Sequence, residues 1–597
     1  MRVTGENTSL WRYRTLSVIF ASVALLIIAQ IIRIQVSPQA EVFRQQGDIY
    51  AGEWRLVEPA RGMIYDRWGH VLASNKTVYE IGVELKDVRN PETIALTLMG
   101  VLKADYNEIF AAASRDYSED LESPSVYAVL ARNVTVEQKE RIESLMEDLE
   151  NQNYKPDKDK PAPSLRGLVF HPHLVRTYPE NELASNIIGF VNSEGNGFGV
   201  EKKFNDLLAG APERVWVPLD PNRVEETQKV PDGASLVLTI DREIQTAMEE
   251  VLDEALQDTG ADGGSIIVMD PESGEVLAMA TTPRIDLNDF GNYSEVFPPS
   301  TPFNRAVSQS YEPGSVFKVL TMAAGLDSGA VTPGTTFIDT GVFEIGGVYI
   351  YNWNSGAWGQ QDMLGCMQHS LNVCLAWVAS ELGADRFYSY MQAFGFGHLT
   401  GIEMAGEDPG RLKLPGDYDW YDADLGTNAF GQGISVTPLQ MAAAISSVAN
   451  DGKMMAPHIV RSLINNDRQY NTTPQIVGTP ITSETARTLS EMLAISLETE
   501  SSDALVEGYR VSGKTGTAEI PTPYGYTSNQ TNASFVGWGP VEDAKFLVYV
   551  WLEKPETSIW GSVVAAPVFR EAVERLVILM NIPPDGVRQD LGQAFNP

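Results

Sequence analysis

From Leu16 to Ile32 the chain reads LSVIFASVALLIIAQII, an apolar run of 17 residues in which Gln30 is the one larger polar side chain. Carried past Arg33 through Ile34 and Val36, it reaches roughly the 20 residues that span a bilayer core. Arg33 sits where a long cationic side chain snorkels to the interface. The run is longer than the apolar core of a signal peptide, and RIQVSPQAEVF behind it offers no small-residue cleavage site. The pattern therefore predicts an uncleaved anchor over 16–36 rather than a buried core helix, because no polar stripe marks a solvent face. Arg2, Arg12 and Arg14 against the single Glu6 assign the tail, 1–15, to the cytoplasm and everything beyond the anchor to the outside.

Beyond the anchor the texture divides near residue 230. Over 37–230, alternating segments (VYEIGVEL, LRGLVFHPHLVRTYP) mix with a charged helical stretch, TVEQKERIESLMEDLE, and with a polar loop, NYKPDKDKPAP, at 153–163. From 231 onward PDGASLVLTIDREIQTAMEEVLDEAL reads as strand, Asp/Arg stop, then amphipathic helix. GGSIIVMDPESGEVLAMA, at 263–280, reads as a hairpin whose turn is supplied by Pro271 and Gly274. Apolar periodicity predicts helices near 315–328, 364–382 and 437–449, and strands near 508–519, 532–539 and 545–553. Hairpin strands and clustered helices in one segment indicate an α+β fold with an antiparallel sheet. No period of 20–50 residues marks a repeat.

Composition narrows the function classes. With 44 Lys+Arg against 79 Asp+Glu in 597 residues, the formal charge is −35. This acidity excludes a nucleic-acid binder, which needs a basic footprint, and docking of the bulk surface on anionic lipid. Two cysteines exclude a disulfide scaffold and a four-cysteine zinc site, and six histidines leave little for a metal centre.

Three short motifs remain as candidate chemistry. Ser315-Val316-Phe317-Lys318 follows Tyr311-Glu312-Pro313-Gly314, so a Pro-Gly turn places Ser315 at a helix N-terminus with Lys318 one turn on, on the same face. A serine hydroxyl is inert unless a base takes its proton, and lysine serves only when its pKa is lowered. Burial and the positive helix end both disfavour the ammonium, while backbone N–H groups there suit a developing oxyanion. S-x-x-K is weak in isolation, yet Lys318 is the one lysine with a serine three residues before it. Ser370-Leu371-Asn372, the one S-x-N, lies between two helical stretches, where its hydroxyl and amide can point into one cleft; a plain helix cap is the bland reading. Lys514-Thr515-Gly516-Thr517, inside YRVSGKTGTAEI, reads as a strand. Its lysine and hydroxyls form a cradle for a carboxylate, and its glycine allows close approach of a ligand backbone. GYRVSGKT formally matches a phosphate-binding loop, but no helix follows the lysine to hold phosphates.

S-x-x-K, S-x-N and K-T-G in that order resemble the penicillin-recognising serine transferases and hydrolases. The chain resembles in particular a class B penicillin-binding protein, a peptidoglycan D,D-transpeptidase. RGMIYDRWGHVLA at 61–73, Arg176-Thr177-Tyr178-Pro179 and GFGVEKKF at 197–204 look like that class's non-catalytic pedestal, with a structural role. TIDREIQ, MDPESGEVLAMA, NRAVSQSYEPGSVFK, FGFG and FGQGISVTPLQ fit its transpeptidase domain. The resemblance implies one transmembrane helix, an extended mixed α/β pedestal over 37–230, and a transpeptidase domain over 231–597 with an antiparallel sheet flanked by helices.

By the same resemblance, Ser315 attacks the penultimate D-Ala carbonyl of a pentapeptide stem and Lys318 is its base. Ser370 shuttles a proton between Lys318, Lys514 and the leaving amine, and Asn372 orients the stem amide. Thr515 and Thr517, flanking Gly516, bind the terminal carboxylate, and the backbone N–H groups of Ser315 and Thr517 form the oxyanion hole. An amine from a neighbouring stem resolves the ester, whose energy comes from the broken peptide bond; no metal or cofactor enters. β-Lactams are implied as covalent inhibitors, and a membrane-embedded glycan polymerase and divisome proteins as partners. YEPGSVFK and FGQGISVTPLQ look more like the division type than the elongation type.

Neighbouring readings fit less well. A class A β-lactamase needs an ExxLN segment that is absent from the sequence, and a bifunctional class A protein needs a glycosyltransferase where RGMIYDRWG stands. A β-lactam sensor or non-catalytic scaffold is the remaining alternative.

Other residues are expected to be structural. Cys366 and Cys374 lie about 12 Å apart along a continuous helix, too far to bridge, so two free thiols are expected unless the S-x-N segment turns the chain back. His171 and His173 read as a strand surface. Trp353 and Trp358, in a Gly/Asn-rich loop, either overhang a cleft or pack. The charge is uneven: +3 over 1–36, −10 over 37–230 and −28 over 231–597. An enzyme whose donor ends in a carboxylate thus needs Lys318 and Lys514 to make a local positive pocket, while the acidic field favours a cationic acceptor.

Overall fold

The computed structural model describes residues 7–37, 52–119, 125–151, 161–192, 194–218, 229–522 and 525–595. Most of the polar stretch expected as a loop at 153–163 lies outside the described residues. The chain forms two compact units, Met1–Ala60 with Gly210–Gly233, and Arg61–Ala209 with Ala234–Pro597. In the first unit, helix α1 (Asn7–Val36) carries the apolar run. Its segment Trp11–Val36 has a mean hydropathy of 2.5 and none of it is buried, so it is long and apolar enough to cross a membrane. The same unit pairs Gly52–Val57 antiparallel with Glu213–Pro218.

The second unit opens with β1 (Ile64–Tyr65), β2 (Val71–Glu84), β3 (Tyr127–Val134), β4 (Leu168–Thr177) and β5 (Ser235–Leu238), followed by α2 (Arg242–Thr259), β6 (Gly263–Met269) and β7 (Val276–Thr281). Helices α3 (Lys318–Asp327), α4 (Met363–Gln368), α5 (Asn372–Leu382) and α6 (Pro438–Ala449) lead to β8 (Val460–Asn465) and β9 (Arg468–Asn471). Then come α7 (Ser483–Thr499), β10 (Ser512–Thr522), β11 (Gly525–Gly539), β12 (Phe546–Glu553) and α8 (Ala566–Leu579).

One sheet, ordered β10-β11-β12-β6-β7, is antiparallel throughout and organises the catalytic half. Its central strand β12 is apolar from Phe546 to Leu552 because both faces are covered. Phe546, Val548, Val550 and Leu552 point to α2 and α8, while Leu547, Tyr549 and Trp551 point to the helical layer that holds α3, α5, α6 and α7. The period of two sorts the strand between two cores, each fully buried side chain contributing about 1.5–3 kcal/mol. The hairpin between β6 and β7 turns as its sequence predicts: Gly274 takes φ +82° and donates to Asp270 O at 2.9 Å. Asp241 ends the preceding strand and caps α2 by accepting from Glu243 N and Ile244 N. The strand expected from 508 starts at Ser512.

A second, mixed sheet runs β9-β8-β5-β1-β2-β3, with β4 also on β2; β1 and β5 are parallel. It draws strands from both sides of residue 231. His171 and His173 lie exposed on β4, as a strand surface.

Three segments that resembled pedestal motifs converge on one buried carboxylate. Glu201, with no solvent exposure, accepts from Arg61 Nε at 2.7 Å and from Arg176 Nε at 2.7 Å. Arg176 also donates to Gly62 O, and Arg61 to Asn205 Oδ1. The Asp66–Gly69 turn is tied to the catalytic half as well: Trp68 Nε1 donates to Asp241 Oδ2 at 2.7 Å, and Arg67 pairs with Glu275.

Candidate active site

The Pro313-Gly314 turn delivers Ser315 into a single 3-10 turn, Gly314–Phe317, which runs directly into α3. Gly314 sits at φ +61°, and a Cβ there would lie 2.7 Å from Thr517 O, so only glycine lets the turn pack on β10. Gly431 closes the other side: its carbonyl accepts from Gly314 N at 3.1 Å. Ser315 is half-buried, and its hydroxyl has no hydrogen-bond partner among the described residues.

Lys318, the first residue of α3, is completely buried. Its Nζ donates to Asn372 Oδ1 at 2.7 Å, Ser370 O at 2.7 Å and Ser370 Oγ at 3.1 Å. Burial, reinforced by the nearby Lys514 charge, pushes its pKa well below the ordinary lysine value. The second motif therefore grips the lysine of the first.

That grip depends on a break between α4 and α5. Ser370 follows the end of α4 at φ +52°, donating from its N–H to Met367 O, while Leu371 N donates to Cys366 O. These two bonds form a Schellman termination with serine where glycine is usual. The reversal corrects one expectation: α4 and α5 are not continuous, the Cα atoms of Cys366 and Cys374 are 6.0 Å apart, and the two cysteines are joined in a disulfide that brackets Ser370 and Asn372. Asn372, at the start of α5, uses its oxygen on Lys318 and one N–H on Tyr351 O, leaving one N–H for a ligand.

The third motif lies on β10, an edge strand of the five-stranded sheet. Lys514 is 5% exposed, with Nζ at 3.3 Å from both Thr515 O and Thr515 Oγ1. Burial draws its pKa down to about 8, against the opposing attraction of Glu500. Lys514 makes no hydrogen bond to Ser370, so of the expected relay the structure contains the Lys318–Ser370 link. Thr517 Oγ1 accepts from Gly561 N at 3.0 Å, leaving its own proton to donate. The reason for Gly516 differs from the expectation: a Cβ there would meet Ser534 Oγ at 2.2 Å and Val316 Cγ1 at 2.9 Å. It is small so that the nucleophile turn can pack on the strand.

Ser315, Ser370, Lys514, Thr515 and Thr517 line one cleft of about 420 Å³. Trp353 and Trp358 line it too, which settles their loop as a cleft wall. Sequence reasoning missed His369, Glu500 and Trp560. Trp358 stacks on His369 at 4.0 Å, and Trp353 meets Trp560 edge to face at 5.4 Å. The helix that Glu500 follows was not among those expected from the sequence, so no local signal marked the acid.

Residues 264–574 match the penicillin binding protein transpeptidase domain, and residues 56–232 match the penicillin-binding protein dimerisation domain. Stage V sporulation protein D of Bacillus subtilis is 31% identical over 527 residues, covering 86% of this chain and 77% of that protein. Peptidoglycan D,D-transpeptidase FtsI of Escherichia coli is 27% identical over 592 residues, covering 97% and 93%. Penicillin binding protein 2X of Streptococcus thermophilus shares the fold, with TM-score 0.72 at 23% identity over 88% of this chain and 80% of that one.

Proposed function

The chain belongs to the class B penicillin-binding proteins, and from that premise we propose that it is a serine peptidoglycan D,D-transpeptidase that cross-links stem peptides and is acylated by β-lactams. The observation that carries the reading is the burial of Lys318 against Ser370 and Asn372, one turn from a serine hydroxyl free to react. Burial favours the neutral form of Lys318, and in that form it takes the Ser315 proton as the hydroxyl attacks the penultimate D-Ala carbonyl. The C–N bond breaks, an ester to Ser315 forms, and the terminal D-Ala leaves with a proton returned through Ser370. Lys514 and the hydroxyls of Thr515 and Thr517 hold the stem carboxylate, and the free N–H of Asn372 orients a stem carbonyl. The backbone N–H groups of Ser315 and Thr517 face the developing oxyanion. An acceptor amine then displaces Ser315.

The excess of arginine ahead of the apolar run, Arg2, Arg12 and Arg14 against Glu6, supports a cytoplasmic N-terminus with the catalytic half outside. The division-type relatives support work at the septum beside a membrane-embedded glycan polymerase and other divisome proteins. Localising a fluorescent fusion tests the septal assignment. The chemistry is tested by Ser315→Ala, which abolishes covalent labelling by penicillin and transfer from a thioester donor to a D-amino acid. Covalent labelling that survives this substitution overturns the assignment.

A further inference from the structure

Glu500 supplies the one carboxylate among the residues lining the cleft, and it stands where a helix disfavours it. It follows Thr499 at the C-terminal end of α7, where the peptide dipoles present partial negative charge and the last turn holds no basic residue. Glu498, two residues earlier, is paired with Arg510. Glu500 has weaker company: Gln368 Nε2 donates to Oε1 at 3.2 Å, and His369 Nδ1 lies 3.2 Å from the same oxygen. Its Oε2 has no partner among the described residues. The carboxylate is half-exposed.

Indole rings complete this end of the cleft. Trp353 is anchored through Nε1 to His369 O at 3.2 Å and packs edge to face on Trp560. Trp358, stacked on His369, lines the same wall. A carboxylate with a free oxygen beside tryptophan rings is the set of groups that binds an alkylammonium, by ion pairing and by attraction to the ring faces. Lys318 and Lys514 provide the opposite charge in the same site. The cleft is therefore polar in the electrical sense, cationic at the strand and anionic at the end of α7.

We propose that Glu500, with Trp353 and Trp560, forms the subsite for the protonated amine of the acceptor stem. The proposal rests on the transpeptidase reading above and adds to it a basis for acceptor choice. The donor's carboxylate goes to Lys514 and the acceptor's ammonium to Glu500, so charge sorts the two peptides before the amine sheds its proton and attacks. An acceptor whose amine sits next to a carboxylate is disfavoured by the same group.

The test uses the full-length protein in detergent with a thioester donor and two acceptors, D-alaninamide and D-alanine, alongside the rate of penicillin acylation. The wild-type protein shows the lower KM for D-alaninamide. Glu500→Gln removes the charge but keeps an oxygen for Gln368 and His369. It raises the KM for D-alaninamide about 5-fold, the order expected of a half-exposed charge pair, and narrows the preference, an effect larger than that on penicillin acylation, which senses Glu500 only through its attraction for Lys514. Glu500→Asp restores the preference, and Glu500→Lys reverses it. An unchanged acceptor KM in Glu500→Gln, or a parallel loss of penicillin acylation, overturns the proposal. A wild-type protein that binds penicillin yet passes no acyl group to either acceptor overturns the transpeptidase reading, and the subsite with it.

Discussion

Lys318 Nζ and Asn372 Oδ1 are 2.7 Å apart, a contact that joins two motifs 54 residues apart in sequence around a fully buried lysine. Asn372 thus holds Lys318 in place, in addition to the substrate contact proposed for it. Asn372→Ala leaves a buried N–H without its acceptor, at a cost of about 1–3 kcal/mol, and the lysine drifts from Ser315. Penicillin acylation is expected to fall about 100-fold. Asn372→Asp acts differently: a carboxylate beside Lys318 favours the ammonium and raises its pKa. The acid limb of the acylation–pH profile then moves to higher pH, which stopped-flow acylation at several pH values measures.

Ser370 trades stability for chemistry. A non-glycine residue in the left-handed region costs about 1–2 kcal/mol, and the hydroxyl that accepts from Lys318 is what the position gains. Ser370→Gly relieves the left-handed strain but loses the hydroxyl's hydrogen bond with Lys318 and adds the entropy of glycine, so Tm is expected to change little while acylation slows. Thermal denaturation and labelling kinetics on one preparation check both halves.

The Cys366–Cys374 disulfide closes a short loop around Ser370 and Asn372. Thiol titration of the denatured protein without reductant should find no free thiol, and two after reduction. Replacing both cysteines with alanine removes about 2–3 kcal/mol by the loop-entropy account. It also loosens the turn that presents Ser370, so acylation slows while the rest of the fold survives.

Lys514 links stability to pH. Its folded pKa of about 8 lies below the unfolded value near 10.5. Between those values the unfolded chain holds a proton that the folded protein has released. Stability from this group is therefore full above about pH 10.5 and is lost as pH falls to 8. A fall from 10.5 to about 8 corresponds to roughly 3–4 kcal/mol. Lys514→Met is expected to be more stable than wild type at pH 7, to lose that advantage toward pH 10.5, and to be inactive; Tm across this range decides.

Glu201 is the pedestal's weak point. Removing it leaves the Arg61 and Arg176 guanidinium groups without their counter-ion, and breaking a buried pair this way costs about 3–5 kcal/mol. Glu201→Ala should lower Tm and open residues 61–209 to protease. Protein that remains folded should still be labelled by penicillin at Ser315.

Much of this was readable in advance because it depends on local spacing. The alternation in GGSIIVMDPESGEVLAMA fixes a hairpin whatever surrounds it, and S-x-x-K puts Lys318 one turn past Ser315 by helix geometry alone. What escaped was set by contacts distant in sequence. Nothing in TGTAEI says that the space beside Gly516 is filled by Val316 and Ser534. The disulfide was missed because helical rise was carried through Ser370, a residue that rarely reverses a chain. Glu500 and Trp560 enter the cleft only through tertiary packing, and the helix that Glu500 follows was itself not expected.

The mixed sheet has a consequence for assembly. Ile64 pairs with Leu236, and Leu236 in turn pairs with Leu463, so neighbouring strands are separated by up to 227 residues of chain. Closing such loops is slow, because the entropy is lost before the contacts form. As the polypeptide is made, the edge of β5 must wait for residue 463, and the edge of β1 must wait with unsatisfied backbone groups until residues 235–238 have been synthesised. A fragment ending near residue 232 keeps that edge open for good, and it should associate through it. The two family segments are thus adjacent in sequence but not separate in folding: the second completes the first.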